Sequence, residues 1–269
     1  MLRTLPEPLV SSRPKPLRPR RSKSVTIGLG FVCSDGVVLC SDREMSGGDF
    51  KYNEKKIYTL NWGDAAFIMT FAGLADVMKI VVDAIWKKMA LAFTADAMKA
   101  ALQATLDEVI TPDPDQQFQL LVAFVSKDVA PFLVKTRDRQ ISPVFENDFI
   151  GFGDSALTRY LLEALVGDRR LTRAEAAVYG IYIVAQAKKY ISGCGGPTDV
   201  HCLTLQGDRL VPGSVVIGEI EEHLDLLEIT VSHLLSTGLH DTDVKTLKAL
   251  AHVKEAMNKT RPHLISFKA

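Results

Sequence analysis

Cysteine is scarce in this chain, and its few copies are scattered. Cys33, Cys40, Cys194 and Cys202 include no pair at the spacing of a zinc ligand set or a redox motif. We therefore expect neither a disulfide framework nor a cysteine-based metal site, and a reducing compartment fits this usage best. The six histidines do not add a ligand pattern.

Long hydrophobic runs are also missing. No stretch approaches the roughly 18 consecutive apolar residues that a membrane-spanning helix requires. The first residues of the chain lack the apolar stretch of a secretory signal. The sequence therefore predicts a cytoplasmic protein without membrane contact.

No charge excess of either sign is present, because 32 basic residues balance 32 acidic ones. The basic residues are concentrated at the start: seven of them, and one acidic residue, precede position 26. The rest of the chain is consequently mildly acidic. This distribution gives no basic footprint for nucleic acid, and we expect no such partner.

What remains is an ordinary globular composition over 269 residues, with 47% hydrophobic and 24% charged residues. These values predict one main domain with extensions. Residues 1–25 contain five prolines among the basic residues and are predicted to be a disordered N-terminal extension. We assign the main domain to residues 26–215 and a helical extension to residues 216–269.

The order of predicted elements indicates the fold class. Strands are followed by two helices, then strands, two helices and a final strand, which favours an α+β layered sandwich over a doubly wound parallel sheet. The first two strands form a hairpin around Asp35-Gly36, which would pair Asp42 with Leu29. The predicted strands are 26–34, 37–42, 55–60, 65–71, 117–126, 131–136, 141–150 and 199–205. The predicted helices are 74–93, 95–110, 155–166, 172–190, 217–236 and 243–258.

One constellation carries the functional prediction. The stretch from Thr26 to Asp42 is followed by Lys55-Lys56 and then by Phe71-Ala-Gly73. In order and spacing this pattern resembles the start of a proteasome β-type subunit, or an HslV-like protein, within the N-terminal-nucleophile (Ntn) hydrolases. Thr26 to Asp42 aligns with that family without a gap.

The resemblance implies a fold and an activity. The fold would be a four-layer αββα sandwich, in which two antiparallel sheets lie between helical layers. The activity would be threonine-type hydrolysis of peptide or amide bonds, without a metal or organic cofactor. The resemblance also implies a homo-oligomeric ring that encloses the sites, polypeptide substrates, and an unfoldase or second ring subunit as a further partner.

The same resemblance assigns roles to residues. Thr26 would be the nucleophile and, through a free α-amine, the base; such an amine titrates near neutral pH. Lys56 would tune that amine and Asp42 would hold Lys56. Lys55 and Lys56 face opposite sides of a strand, so only one can serve, and the alignment favours Lys56. Gly73 would donate its N–H to the oxyanion.

Two further positions follow from the resemblance. Met45 and Phe71 would line the specificity pocket, which suggests that apolar substrate side chains are accepted. The chain departs from the family pattern elsewhere: Phe152 stands where a serine is expected, and Ile191 where an aspartate is expected. Ser155 or Ser192 would substitute for these groups, or catalysis is lost.

The N-terminus leaves alternatives open, because Thr26 needs a free amine. Residues 1–25 could be removed as a propeptide, although Val25 replaces the usual glycine before the cleaved bond. Translation could instead begin at position 25 through a GUG codon, with methionine removal exposing Thr26. If the extension is retained, the protein is a non-catalytic ring or scaffold subunit of the same fold. An Ntn-type amidase acting on a small molecule is the third alternative.

Two further patterns give weaker signals. Gly193-Cys-Gly-Gly196 follows a helix instead of opening one, so a loop bend is a better interpretation than a phosphate cradle. Cys194 as a nucleophile lacks a convincing base, because His201 lies on the next strand with unknown facing.

Overall fold

The computed structural model describes residues 26–47, 50–62, 65–73, 75–89, 94–110, 118–151 and 156–237, with residues 251, 254, 255, 258 and 259 near the C-terminus. The predicted extension 1–25 lies outside the described residues, as do Phe152, Ser155 and most of the predicted helix 243–258.

The secondary structure alternates strands and helices in the predicted order. The strands are β1 (Ile27–Cys33), β2 (Gly36–Asp42), β3 (Glu44–Gly47), β4 (Phe50–Asn53), β5 (Ile57–Trp62), β6 (Ala65–Ala72), β7 (Gln119–Ser126), β8 (Val129–Arg137), β9 (Gln140–Val144), β10 (Asn147–Gly151), β11 (Thr198–Thr204) and β12 (Arg209–Leu210). The helices of the described ranges are α1 (Ala75–Met89), α2 (Ala95–Val109), α3 (Ala156–Leu165), α4 (Arg173–Tyr190) and α5 (Ser214–Thr237).

The strands form three antiparallel sheets. The first sheet has the order β10-β1-β2-β11-β12 and the second the order β5-β6-β7-β8-β9, while β3 and β4 pair only with each other. The predicted two-sheet arrangement missed this small hairpin, because the stretch from Glu44 to Asn53 is polar and lacks an apolar alternation. The predicted strand 141–150 is in fact two strands, β9 and β10, which belong to different sheets.

The first hairpin differs from its predicted register, and the difference matters for the site. The turn falls at Ser34 and Asp35, so Leu29 pairs with Cys40 and not with Asp42. Gly36 belongs to β2, where a side chain would overlap the carbonyl oxygen of Leu203 on β11. The glycine therefore serves the approach of two strands instead of the turn, and the register shifts by two residues.

Two helix starts are fixed by capping side chains. Thr94 accepts a hydrogen bond from the backbone N–H of Ala97 and caps α2. Thr172 and Glu175 form a reciprocal capping box at the start of α4. These polar caps explain why both helices begin where the sequence pattern predicts.

Three apolar clusters hold the layers together. One joins the first sheet to α3, α4 and α5, and another joins the second sheet to α1 and α2. The third lies between the two five-stranded sheets and is built from residues of both, including Leu39, Ile68 and Leu121. The two five-stranded sheets therefore contact each other through one apolar cluster and contact the helices through the other two. Among the described helices, none is long and apolar enough to cross a membrane.

The contact between α4 and β2 predicts a strong sensitivity to one added methyl group. A Cβ at Gly180 would overlap the buried Sγ of Cys40, so Gly180→Ala should lower the free energy of unfolding by about 1–3 kcal/mol. Gly218 in α5 is the matched control, because a Cβ there meets no atom within 4 Å. Gly218→Ala should raise stability by about 0.5–1 kcal/mol in urea denaturation. Destabilisation of the same size in both variants would contradict this packing.

Candidate active site

The structure brings Thr26, Asp42 and Lys56 into direct contact. The Lys56 ammonium donates to Thr26 Oγ1 at 3.0 Å and to Asp42 Oδ1 at 2.9 Å. The side chains of Lys56 and Asp42 are fully buried, and Thr26 is 2% exposed. Lys55, the other lysine of the pair, is exposed to solvent.

A third acceptor completes the surroundings of Lys56. Its ammonium also donates to the backbone carbonyl of Glu44, at the start of β3. A lysine ammonium has three N–H donors, and these three acceptors use all of them. The sequence does not indicate the role of Glu44, because every residue type has a backbone carbonyl that could make this contact.

Asp42 is held by two backbone donors in addition to Lys56. Its Oδ1 accepts from the N–H of Ile27 at 3.2 Å, and its Oδ2 accepts from the N–H of Gly195 at 3.2 Å. The first contact follows from the observed register of β1 and β2, which brings Asp42 alongside Ile27. The predicted register paired Asp42 with Leu29 and so placed it away from Thr26. The observed register removes that separation.

Burial and pairing act on these two groups in opposite directions. Burial raises the pKa of Asp42, while Lys56 and the two N–H donors lower it. Burial lowers the pKa of Lys56, while the Asp42 carboxylate raises it. Each group therefore depends on the other to remain charged inside the protein.

The loop after α4 supports the site through its backbone. The Gly195 carbonyl accepts from the N–H groups of Arg43 at 3.2 Å and Glu44 at 3.0 Å, so this glycine contacts Asp42 and the two residues that follow it. A side chain at Gly195 would overlap the Glu44 carboxylate. Gly196 adopts a φ of 68°, which favours glycine. The predicted loop bend is present, and its contacts with Asp42 were missed.

Gly73 directly follows β6 and comes two residues before the first residue of α1. It is buried, and its φ of 128° lies in the region that side chains disfavour. Met45 and Phe71 are buried in the cluster between the second sheet and helices α1 and α2, and the Phe71 ring lies 6.5 Å from that of Phe118. Lining of a specificity pocket by these two side chains stays a prediction.

Of the two positions that depart from the expected pattern, Ile191 is described and lies at the end of α4. Ile191 caps the C-terminus of α4 and packs against the cluster under the first sheet. Ser192 is exposed at the following bend. Within the described residues, the Lys56 ammonium donates to Thr26, Asp42 and Glu44, and neither Ile191 nor Ser192 is among these acceptors.

Cys194 and His201 lack the features of a nucleophile and its base. Burial raises the pKa of the Cys194 thiol to about 12, which disfavours the reactive thiolate. Burial is also the first cause of the lowered pKa of His201, which is about 4, and its Nδ1 lies 3.2 Å from Thr59 Oγ1. Within the described ranges, no group of three or more acidic, histidine or cysteine side chains could hold a metal ion.

The arrangement has a clear chemical capacity. A buried ammonium that donates to a hydroxyl oxygen stabilises negative charge on that oxygen and on any oxyanion formed nearby. Because the ammonium is fixed by three acceptors, its position relative to Thr26 is defined before any substrate binds.

Replacing Lys56 by a neutral residue tests how strongly the buried carboxylate of Asp42 depends on the Lys56 ammonium. Lys56→Met leaves a buried carboxylate without its partner and should lower the free energy of unfolding by about 3–5 kcal/mol at pH 7. Lys55→Met, at the exposed neighbour, should change it by less than about 0.5 kcal/mol. Urea denaturation measures both values.

The pH dependence of the Lys56→Met loss follows from linkage. Burial raises the folded-state pKa of Asp42, and this variant lacks the main opposing group. The folded state then binds a proton more readily than the unfolded state, so the loss should shrink as the pH falls through the raised pKa. Equal losses at pH 7 and at pH 4 would contradict the pairing.

Comparison with known proteins identifies the fold. No family model matches the sequence, and no curated protein matches it. Among solved structures, Anbu (ancestral beta-subunit) from Yersinia bercovieri has a TM-score of 0.65 at 17% identity, covering 81% of this chain and 99% of that protein. Anbu from Hyphomicrobium sp. strain MC1 has a TM-score of 0.65 at 14% identity, covering 81% and 100%.

A third similar structure is described as a helical assembly of the Anbu complex from Pseudomonas aeruginosa, with a TM-score of 0.64 and 15% identity over 81% of this chain and 99% of that one. Identities this low establish a shared fold and no shared activity. Anbu is a family distinct from the proteasome β-type and HslV-like proteins. The predicted family is therefore wrong, and the chain has the proteasome-like fold of the Anbu structures.

Proposed function

We propose that this protein is a hydrolase that cleaves peptide or amide bonds with Thr26 as an N-terminal nucleophile. The observation that carries the proposal is the buried Lys56 ammonium, which donates both to Thr26 Oγ1 and to Asp42 Oδ1. A buried lysine is costly and is rarely kept for stability alone. Its contact with a hydroxyl at the start of the main domain favours a role in activating that hydroxyl.

In the proposed reaction, the α-amine of Thr26 takes the proton from Oγ1 as the oxygen attacks the substrate carbonyl. The C–N bond then breaks, the amine returns the proton to the leaving nitrogen, and an ester on Thr26 remains. A water molecule hydrolyses this ester and releases the acid. The mechanism requires Thr26 as the first residue, so residues 1–25 must be removed or never translated.

The other groups have supporting roles in this proposal. Lys56 stabilises the attacking oxygen and lowers the pKa of the neighbouring amine, which increases the fraction of neutral base at neutral pH. Asp42 keeps Lys56 charged and in place. Gly73 donates its N–H to the oxyanion, supported by its position just before α1, where the helix N-terminus favours negative charge.

The packing of the layers supports a four-layer αββα interpretation of the fold. Residues from both five-stranded sheets form the central cluster, and helices cover both outer faces. The small β3–β4 hairpin is an addition at the site. We keep the division into a main domain of residues 26–215 and a C-terminal extension of residues 216–269, although α5 already begins at Ser214.

We also propose that the protein is a homo-oligomer that acts on polypeptide, with Met45 and Phe71 as specificity positions. Support for assembly comes from the similar structure described as a helical assembly. An unfoldase or a second subunit as a partner remains part of the proposal.

A non-catalytic subunit of the same fold is the second candidate. It is favoured by Ile191, whose side chain packs in an apolar cluster where a supporting carboxylate was expected. The two candidates differ in whether the protein, once Thr26 is its first residue, turns over any amide substrate.

Substitution of the nucleophile tests the proposed activity. In protein that begins at Thr26, Thr26→Ala should lower hydrolysis of fluorogenic peptides with apolar side chains by at least roughly 10³-fold, because it removes the attacking oxygen. Thr26→Ser keeps that oxygen and should retain measurable activity. Lys55→Met is the control for nonspecific loss and should leave the rate unchanged. Activity that survives Thr26→Ala would contradict the proposal.

Measurement of the native mass tests the assembly. We expect light scattering to give a mass several times that of one chain at micromolar concentration. A monomer that still hydrolyses amides would contradict the proposed homo-oligomer. It would favour the alternative of an amidase that acts on a small molecule. An assembly without any hydrolysis after exposure of Thr26 would favour the non-catalytic subunit.

A further inference from the structure

The β3–β4 hairpin is positioned by side-chain contacts instead of by a neighbouring strand. Among the described strands, β3 and β4 pair only with each other. One face of the hairpin is anchored by Met45, which is buried in the cluster between the second sheet and helices α1 and α2. The other face carries Glu44 and Asn53, which are cross-strand partners. The contacts of this second face therefore decide where the start of β3 lies.

The second face lies on the glycine loop after α4. A Cβ at Gly195 would overlap the carboxylate of Glu44, and a Cβ at Gly196 would overlap the side-chain oxygen of Asn53. The backbones are joined at the same place, because the N–H of Glu44 donates to the Gly195 carbonyl at 3.0 Å. We call this approach of Glu44 and Asn53 to the two glycines the hairpin–loop contact.

The hairpin–loop contact joins two of the three acceptors of the Lys56 ammonium. On the hairpin side, the backbone carbonyl of Glu44 accepts from Lys56. On the loop side, the N–H of Gly195 donates to Asp42 Oδ2, while Asp42 Oδ1 accepts from Lys56 at 2.9 Å. A shift of the hairpin on the loop therefore changes the separation of these two acceptors. Because the same ammonium donates to Thr26 Oγ1, the shift also changes the geometry at Thr26.

An ion pair fixes the Glu44 side chain in this contact. Its carboxylate lies 2.6 Å from the ammonium of Lys51, on the adjacent strand β4. The register places Lys51 diagonally opposite Glu44, at a separation that long side chains can span. The Glu44 side chain is 15% exposed, whereas the Lys51 side chain is 63% exposed. The carboxylate is therefore enclosed against the loop, and its partner is open to solvent and salt.

We propose that Glu44 is a positioning residue for the Lys56 ammonium and that Lys51 holds Glu44 in place. The carboxylate, fixed by Lys51 against Gly195, sets the position of the Glu44 backbone carbonyl. That carbonyl then directs the ammonium towards Thr26. Any residue at position 44 supplies a carbonyl, but the ion pair requires these two side chains. The effect on catalysis rests on the proposed function, whereas the hairpin–loop contact does not.

Hydrogen exchange of the full chain, measured at residue resolution, tests the contact without an assay of activity. The N–H groups of Arg43 and Glu44 donate to the Gly195 carbonyl, so their exchange reports whether the hairpin lies on the loop. In Lys51→Met, exchange at these two amides should become roughly two- to fivefold faster, which is what an exposed ion pair can contribute. Lys51→Arg should restore the wild-type rate. Lys88→Met breaks an exposed ion pair between α1 and α2 and should leave both amides unchanged.

A second variant acts on the enclosed partner of the ion pair. Glu44→Gln keeps the side-chain shape and removes the charge, so it should accelerate exchange at the same two amides. Equal exchange in wild type, Lys51→Met and Glu44→Gln would overturn the positioning role. Faster exchange spread equally over β1 and β7 would show a general loss of stability and would overturn it as well.

The effect on catalysis is tested in protein that begins at Thr26, with an uncharged fluorogenic peptide. Lys51→Met should lower kcat by roughly two- to fivefold and change KM by less than about twofold, because the ion pair acts on the Lys56 ammonium and not on bound substrate. Raising the salt concentration from about 0.05 to 0.5 M should lower the wild-type kcat, because salt screens an exposed pair. Lys51→Met should lack this salt dependence, and Lys51→Arg should retain it.

Two kinetic results would contradict the effect on catalysis. One is a kcat that Lys51→Met leaves unchanged, and the other is an equal salt dependence in wild type and Lys51→Met. If wild-type protein with Thr26 first hydrolyses no amide, the proposed function fails, and hydrogen exchange still decides whether the ion pair positions Glu44.

Discussion

The structure around Thr26 depends on the burial of one ammonium group. Removing a lysine from water costs several kcal/mol unless all its donors are matched. Lys56 meets this condition with Thr26 Oγ1, a carboxylate oxygen of Asp42 and the carbonyl of Glu44. These acceptors come from the start of β1, the end of β2 and the start of β3. A small error in the register of any of these strands would leave an unpaired charge, so the ammonium imposes a strict geometry on all of them.

Backbone groups, more than side chains, enforce that geometry. The N–H groups of Ile27 and Gly195 donate to the two oxygens of Asp42, while the carbonyl of Gly195 accepts from the amides of the two residues that follow Asp42. The absence of a side chain at Gly195 allows this approach, because any Cβ would overlap the Glu44 carboxylate. The glycine loop after α4 is thus part of the framework of the site, although the resemblance assigns it no role.

Sequence reasoning succeeded where a signal is local and failed where it depends on tertiary contact. Hydrophobic periodicity, with Thr94 as the expected cap of α2, predicted the five described helices and most strands, and the alignment favoured Lys56 as the lysine beside Asp42. The Asp35-Gly36 turn was misplaced because Gly36 is required by the neighbouring β11, which local turn preferences do not register. The β3–β4 hairpin, the Glu44 carbonyl and the Gly195 contacts have no residue-type signature. The family was misassigned because the short motif is compatible with more than one branch of a fold.

The apolar residue at position 191 is compatible with an intact ion pair for a physical reason. A supporting carboxylate or hydroxyl is needed when the charges of a buried site lack partners, because desolvation then neutralises them. Here the carboxylate of Asp42 accepts from two backbone N–H groups and from the Lys56 ammonium, and the ammonium donates to three oxygens. Ile191, which is partly buried against the cluster beneath the first sheet, consequently leaves neither of these charges unmatched.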